Sequence, residues 1–235
     1  MARSSFVWDQ SLDSNRAYPH DAFGRPALSY KPGEANAAWS FQTTAADFAR
    51  FLIAVLNGSR LQPETSVLWL RPEIEVRHSG IQYLESNGNA VATGVSWGLG
   101  WGLEPGEGTF FHWGDNGPMT AFTLGSVQDR SALVAFTNGA SGLSIMPELV
   151  AQFIPGERPS LAWLGYVRHD APVRRLLRRA RQHGAEAVWR EMEDAGLEPD
   201  DLRWIARGLS AASREEDSLW LRARAAERAA AAPAK

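Results

Sequence analysis

The chain has 235 residues, of which 44% are apolar and 22% charged, and a formal net charge of −3. That length buries a real core and leaves room for a second small unit, but the charge gives neither a basic field for nucleic acid nor a polybasic membrane patch. Cysteine is absent, which excludes disulfides, thiolate metal sites and a cysteine nucleophile without assigning a compartment.

Residues 1 to 40 are rich in Pro, Gly, Asn and aromatics without a sustained period, and read as extended and looping. The opening "MARSSFVWDQ" lacks the apolar core of a signal peptide, so no export signal is expected in this chain. Then "TTAADFARFLIAVLNG" predicts a helix with Phe48, Phe51, Leu52, Val55 and Leu56 on one stripe. Thr44 with Asp47 resembles a capping box, and Gly58 suits the residue past the helix end. Residues 59 to 94 show little period and read as a surface excursion with a short helix near "PETSVLWL".

From Val95 the period changes. "VSWGLGWGL", "GTFFHW", "MTAFTLGS" and "SALVAFTN" are short segments rich in β-branched or aromatic residues. Turn chemistry in "EPGEG", "GDNGP" and "VQDR" separates them, which predicts an antiparallel meander. A helix over about 142 to 153 should pack back on that sheet. After "IPGERP" the composition shifts to Arg, Ala, Glu and Leu, in four amphipathic helical segments from "APVRRLLRRARQHG" to "SREEDSLWLRARAAERAA". The boundary is placed near 155 to 165, and the final "AAAAPAK" is expected to fray. No apolar run approaches the roughly 20 residues of a membrane helix.

Four features invite chemistry. "GVSWG", residues 94 to 98, fits a nucleophile elbow around Ser96, but that motif needs a strand turning into a helix, and more strand follows here. A metal site on His112 with Asp115 or Asn116 lacks further ligands, because His20, His78, His169 and His183 are scattered; no metal and no cofactor are expected. The arginines from 174 to 181 read as a solvated helix face. The fourth is "FHWGDNG". A His-x-Gly on a strand can offer an imidazole donor, close backbone approach at Gly114, and an amide N–H to an oxyanion. On the residues alone, a tight hairpin is the simpler account.

"NAAWSFQTTAADFARFLIAVLNG", "SWGLGWGL", "FFHWGDNGPMTAF" and "ALVAFTNG" follow one another in an order that resembles the serine β-lactamase-like family. This is the group of penicillin-binding-protein-related hydrolases and esterases closest to class C β-lactamases. "SSFVWDQ…HDAFGRP" also looks like the segment that follows that family's Tyr-x-Asn motif. The likeness covers residues 1 to about 155 and implies an α+β fold: part of a β-lactamase/transpeptidase-like domain, with an antiparallel sheet packed by helices, then a small all-α tail over 156–235. The tail has a weak likeness to a tetratricopeptide-type helix pair, whose consensus residues are largely absent.

By this resemblance, His112-Trp113-Gly114 matches the family's Lys/His-x-Gly motif. The Asp115 N–H would serve the oxyanion hole, His112 would orient substrate or stabilise charge, and Trp113 and Asn116 would line the substrate site. The family's nucleophile and base, Ser-x-x-Lys, are missing. Lys31 follows Leu28 by three residues and Lys235 follows Ala232, and no Tyr-x-Asn or Ser-x-Asn occurs. The chain is therefore expected to begin after those elements, with Met1 near an internal methionine of the family.

Two readings follow: a serine hydrolase fragment inactive alone, or a non-catalytic binding or scaffold protein built on this fold. The implied ligand is a small acyl or peptide substrate, a β-lactam, D-amino-acid peptide or ester. Neither nucleic acid nor a membrane span is expected. An exposed sheet edge is expected to favour self-association. The compartment stays open.

Overall fold

The computed structural model describes residues 1–78 and 91–231. The chain forms two compact units, Met1–Tyr166 and Val167–Lys235.

The first unit is α+β, built on six antiparallel strands that lie in chain order. They are β1 (Ile74–Glu75), β2 (Ser96–Trp97), β3 (Gly102–Glu104), β4 (Thr109–Asp115), β5 (Thr120–Ser126) and β6 (Ser131–Thr137). The meander read from the sequence is present, with two differences. "VSWGLGWGL" makes two short strands rather than one, because the chain reverses at Gly98–Gly100, where Gly98 N donates to Trp101 O and Gly100 has φ 91°. And β1 lies in the stretch read as an excursion, paired to β2 through Ile74↔Trp97 and Glu75↔Ser96.

The sheet is buried on both faces, and the pleat sorts β4 between them. Phe111 joins Phe122, Leu124, Leu133, Met146 and Val150 in one core. Phe110 joins Leu52, Val55, Trp101 and Leu103 in the other. Each of these phenylalanine rings lies over a glycine on a neighbouring strand. A Cβ on Gly102 would come within 2.4 Å of the Phe111 ring, and one on Gly125 within 2.3 Å of the Phe110 ring. The pairs Gly102↔Phe111 and Phe110↔Gly125 are direct cross-strand partners, so the glycines are where the rings need them.

Helix α1 (Ala45–Leu56) supplies Leu52 and Val55 to the second core, as its stripe predicts. Its C-terminus closes in a Schellman motif: Ser59 N donates to Ala54 O, Gly58 N donates to Val55 O, and Gly58 has φ 60°. At the N-terminus Thr44 accepts from Asp47 N, but the reciprocal half of a capping box is absent. The buried Asp47 carboxylate instead accepts from Arg3 N at 2.7 Å and Ser4 Oγ at 3.2 Å, and pairs with Arg50. Those donors, the Arg3 amide first, hold its carboxyl below the usual range. Helix α2 (Pro63–Trp69) falls where "PETSVLWL" places it.

Helix α3 (Met146–Phe153), preceded by a 3₁₀ turn over Gly142–Ile145, matches the expected packing helix. Helix α4 (Pro159–Leu164), unforeseen in the sequence, brings Trp163 and Leu164 into the first core. Its first turn is held from β3. The fully buried Glu104 carboxylate accepts from Ser160 N at 2.9 Å and from Thr109 Oγ1, and lies 3.6 Å from the buried Arg158 guanidinium.

Strand β6 pairs with β5 along its whole length, and among the described residues no strand pairs with its other edge. Just beyond it, His20 forms a parallel bridge to Gly139. "SALVAFT" carries no charge or proline to blunt such an edge.

The second unit is helical: α5 (Pro172–His183), α6 (Trp189–Asp194), α7 (Pro199–Ala211) and α8 (Glu215–Ala231). Buried Leu176, Leu177, Ala180, Met192, Leu202, Ile205, Leu209 and Leu221 supply its interior. Buried Ser218 donates to Ala206 O at 2.8 Å, tying α8 to α7. No helix among the described residues is long and apolar enough to cross a membrane. Of the tail expected to fray, residues 232–235 lie outside the described residues.

Candidate functional site

All five residues singled out in the sequence, His112, Trp113, Gly114, Asp115 and Asn116, lie at the end of β4 and the start of its hairpin to β5. What distinguishes this end is hydrogen bonding. Antiparallel ladders alternate bonded and non-bonded residue pairs. Val127 N donates to Gly108 O at one end of the β4–β5 ladder, and Asn116 N donates to Met119 O at the other. Even-numbered residues of β4 therefore bond toward β5 and odd-numbered ones toward β3. The β3 pairing stops at Gly102↔Phe111. Past it, the N–H and C=O of Trp113 and Asp115 face an edge that no strand fills among the described residues.

The side chains around this edge are aromatic. The exposed His112 ring lies 5.7 Å from Trp113, 5.8 Å from Trp97 and 6.3 Å from Trp101. Its Nδ1 is 2.9 Å from Trp113 O, a hydrogen bond in the tautomer that carries the proton on Nδ1. That tautomer leaves Nε2 as an acceptor; in the imidazolium, both nitrogens donate. Gly114 is free of packing demands. A Cβ there would meet only Ala121 Cβ, at an ordinary 3.7 Å, so packing does not require glycine at this position.

Asp115 and Asn116 are held in place by other residues. The Asp115 carboxylate accepts from Gly117 N at 3.0 Å and from the Tyr166 hydroxyl at 2.9 Å. Burial, then the Asp115 charge and hydrogen bond, push the Tyr166 phenol well above its ordinary pKa, so it stays a donor. Asn116 donates from Nδ2 to Trp39 O at 3.3 Å.

Together with residues of the N-terminal segment, His112, Trp113, Gly114 and Asn116 line a cavity of about 1200 Å³. Its walls are largely apolar, with Trp8, Trp39 and Trp101 among them. Ser96 takes no part in it. It is 7% exposed, sits inside β2, and is paired to β1 and β3, so the strand-to-helix elbow that would present a nucleophile is absent there.

Sequence reasoning missed Tyr166, which fixes Asp115 from 51 residues away, and the tryptophans around His112. No local signal marks the first; the Trp-x-x-x-Trp spacing of 97 and 101 beside "FFHW" is the one hint of the second.

The arrangement offers an unpaired strand edge with two outward N–H groups, a glycine that permits close contact, and an imidazole at the mouth of an apolar cavity. Such an edge can add an extended ligand by main-chain hydrogen bonds, and an outward N–H can stabilise an oxyanion.

No family model matches the sequence, and no curated protein does. Among solved structures, the chain is similar to the octameric penicillin-binding protein homologue from Pyrococcus abyssi, with a TM-score of 0.51 at 18% identity over 76% of this chain. The match spans 39% of that protein. At that identity the likeness speaks to the fold: the chain has a penicillin-binding-protein-like α+β fold.

Proposed function

We propose that the first unit supplies the oxyanion strand and substrate wall of a serine hydrolase of the β-lactamase, D-Ala-D-Ala peptidase and esterase class, and that these 235 residues alone do not turn substrate over. The observation that carries this reading is the open edge of β4 from His112 to Asp115, beside a glycine that packing does not require. In this reading the Asp115 N–H points at the developing oxyanion, His112 orients or neutralises the acyl substrate, and Trp113 and Asn116 shape its site. The helical residues that follow form an extension to that domain.

The limit on activity is chemical. Acyl transfer in this class needs a serine whose proton a nearby lysine removes, and neither Lys31 nor Lys235 stands three residues after a serine. Assay of the isolated chain with nitrocefin and with p-nitrophenyl esters tests this. No serine-dependent turnover is expected; turnover abolished by a serine-directed inhibitor would overturn the reading.

The same lack of Ser-x-x-Lys favours a second reading, a non-catalytic protein that uses the cavity for an acyl or peptide ligand. Under it, ligand binding at the β4 edge persists and adding a hydrolase fragment that carries Ser-x-x-Lys restores no turnover. The uncharged outer edge of β6 further supports self-association or pairing with another strand.

A further inference from the structure

The cavity beside β4 is apolar over most of its wall, yet a half-buried arginine, Arg16, is set into that wall. The Arg16 guanidinium carbon lies 4.2 Å from the centre of the Trp8 ring, and Nη2 donates to Tyr30 O at 2.8 Å. A stack and a hydrogen bond together hold the planar fork in place. Its remaining terminal nitrogen, Nη1, is buried and has no hydrogen-bond partner.

Drawing a guanidinium out of water is costly unless a carboxylate answers it. Arg16 has no such partner among the described residues. Lys31, whose ammonium lies 4.8 Å from the same Trp8 ring, pairs with Asp13 at 2.8 Å, so its charge is answered and that of Arg16 is not. The other charged residues of the wall besides His112, Arg3 and Asp9, are exposed, and the Asp9 carboxylate accepts from Ser11 N at 2.9 Å.

Two further features of the wall point to a ligand. Gln42 Nε2, on another lining residue, is likewise buried without a partner. Buried donors call for an acceptor, and a cavity of about 1200 Å³ has room to bring one in. Leu28, Tyr30, Trp39 and Leu99 line the same cavity and are exposed, so much of its apolar surface still faces water.

We infer that this cavity binds an apolar monocarboxylate, whose carboxylate pairs with the Arg16 guanidinium while its alkyl or aryl body covers the apolar side chains. A guanidinium and a carboxylate form strong, charge-assisted hydrogen bonds, and burial of the chain supplies the rest of the affinity. A neutral ligand would leave Arg16 unanswered, and a highly charged one would set polar surface against an apolar wall. Arg16 belongs to the N-terminal segment, so this site stands whether or not the β4 amides serve an oxyanion.

Isothermal titration calorimetry of the full chain with decanoate and with 1-decanol, its uncharged match in chain length, tests this. Decanoate should bind saturably and at least about tenfold more tightly than 1-decanol. Octanoate should bind more weakly than decanoate, by up to about fourfold for each methylene removed. Arg16→Gln should bring decanoate down to the affinity of 1-decanol with circular dichroism unchanged, and Arg16→Lys, which keeps the charge, should retain part of the preference. Arg3→Gln removes an exposed cation of the same wall and should leave the preference in place. Absence of saturable binding, or equal binding of the two ligands by the wild type, would overturn the inference. So would a preference that survives Arg16→Gln or disappears in Arg3→Gln.

Discussion

The Tyr166 hydroxyl donates a 2.9 Å hydrogen bond to the Asp115 carboxylate, whose other oxygen accepts from Gly117 N. The residue whose amide faces the open edge of β4 is thus fixed through its side chain from both sides.

Tyr166→Phe removes one of these holds. We expect a loss of about 1 kcal/mol in urea unfolding, because the bond is charge-assisted but solvent-accessible. The phenol also predicts a pH response. Its folded pKa is raised, so its contribution is complete below the unfolded value near ~10 and is lost as pH rises through the folded value. As pH rises from the unfolded value towards the folded one, stability should decline more steeply in the wild type than in Tyr166→Phe.

Two glycines of the sheet should answer alanine differently. Gly102→Ala drives a Cβ into the Phe111 ring and should cost about 1–3 kcal/mol. Gly114→Ala meets only Ala121 and should leave stability within about 0.5 kcal/mol while hindering ligand at the edge. Chemical denaturation of both variants checks the contrast.

Asp47, on α1, is an acid-sensitive anchor for Arg3 and Ser4 of the N-terminal segment. Its folded pKa is depressed, first by the Arg3 amide, so its stabilisation is present above the unfolded value near ~4 and disappears as pH falls through the folded one. As pH falls from the unfolded value towards the folded one, thermal melts should show the wild type losing stability faster than Asp47→Asn.

Glu104 joins β3 to α4 through Ser160 N and faces the buried Arg158. Glu104→Ala orphans Ser160 N and removes one of the two carboxylates beside Arg158, Glu107 remaining at 3.4 Å, and should cost about 1–3 kcal/mol in equilibrium unfolding. Glu104→Gln, which keeps an acceptor for Ser160 N, should cost less.

The outer edge of β6 should govern association. Ala132 is exposed on that strand, and Ala132→Lys places a charge where a second strand would pair. Sizing chromatography should show larger species for the wild type and a shift toward monomer for the variant.

What could be read from the sequence was local. Helix α1 announces itself by the Phe48–Leu56 stripe and Gly58, and β4 to β6 by β-branched and aromatic runs between turn residues. Helix α4 did not, because "PSLAWL" spans under two turns and its first turn depends on Glu104, 56 residues upstream. The split at Gly98–Gly100 hid inside a run of tryptophans and glycines that reads as one strand. The site behaved likewise. "HWGDN" could be marked as a candidate from residue types, but the open edge exists because β3 pairs no further than Phe111, and Asp115 is fixed by a tyrosine far along the chain. Neither relationship is written in neighbouring residues.

The central claim is that the β4 edge receives an acyl ligand at the Trp113 and Asp115 amides. The most direct measurement is the amide ¹⁵N–¹H spectrum of the full chain titrated with a β-lactam and with an acylated D-Ala-D-Ala peptide. The account predicts saturable shifts centred on Trp113, Gly114 and Asp115, reduced in Gly114→Ala. No shift at these amides with either ligand, or shifts confined to another surface, would contradict it.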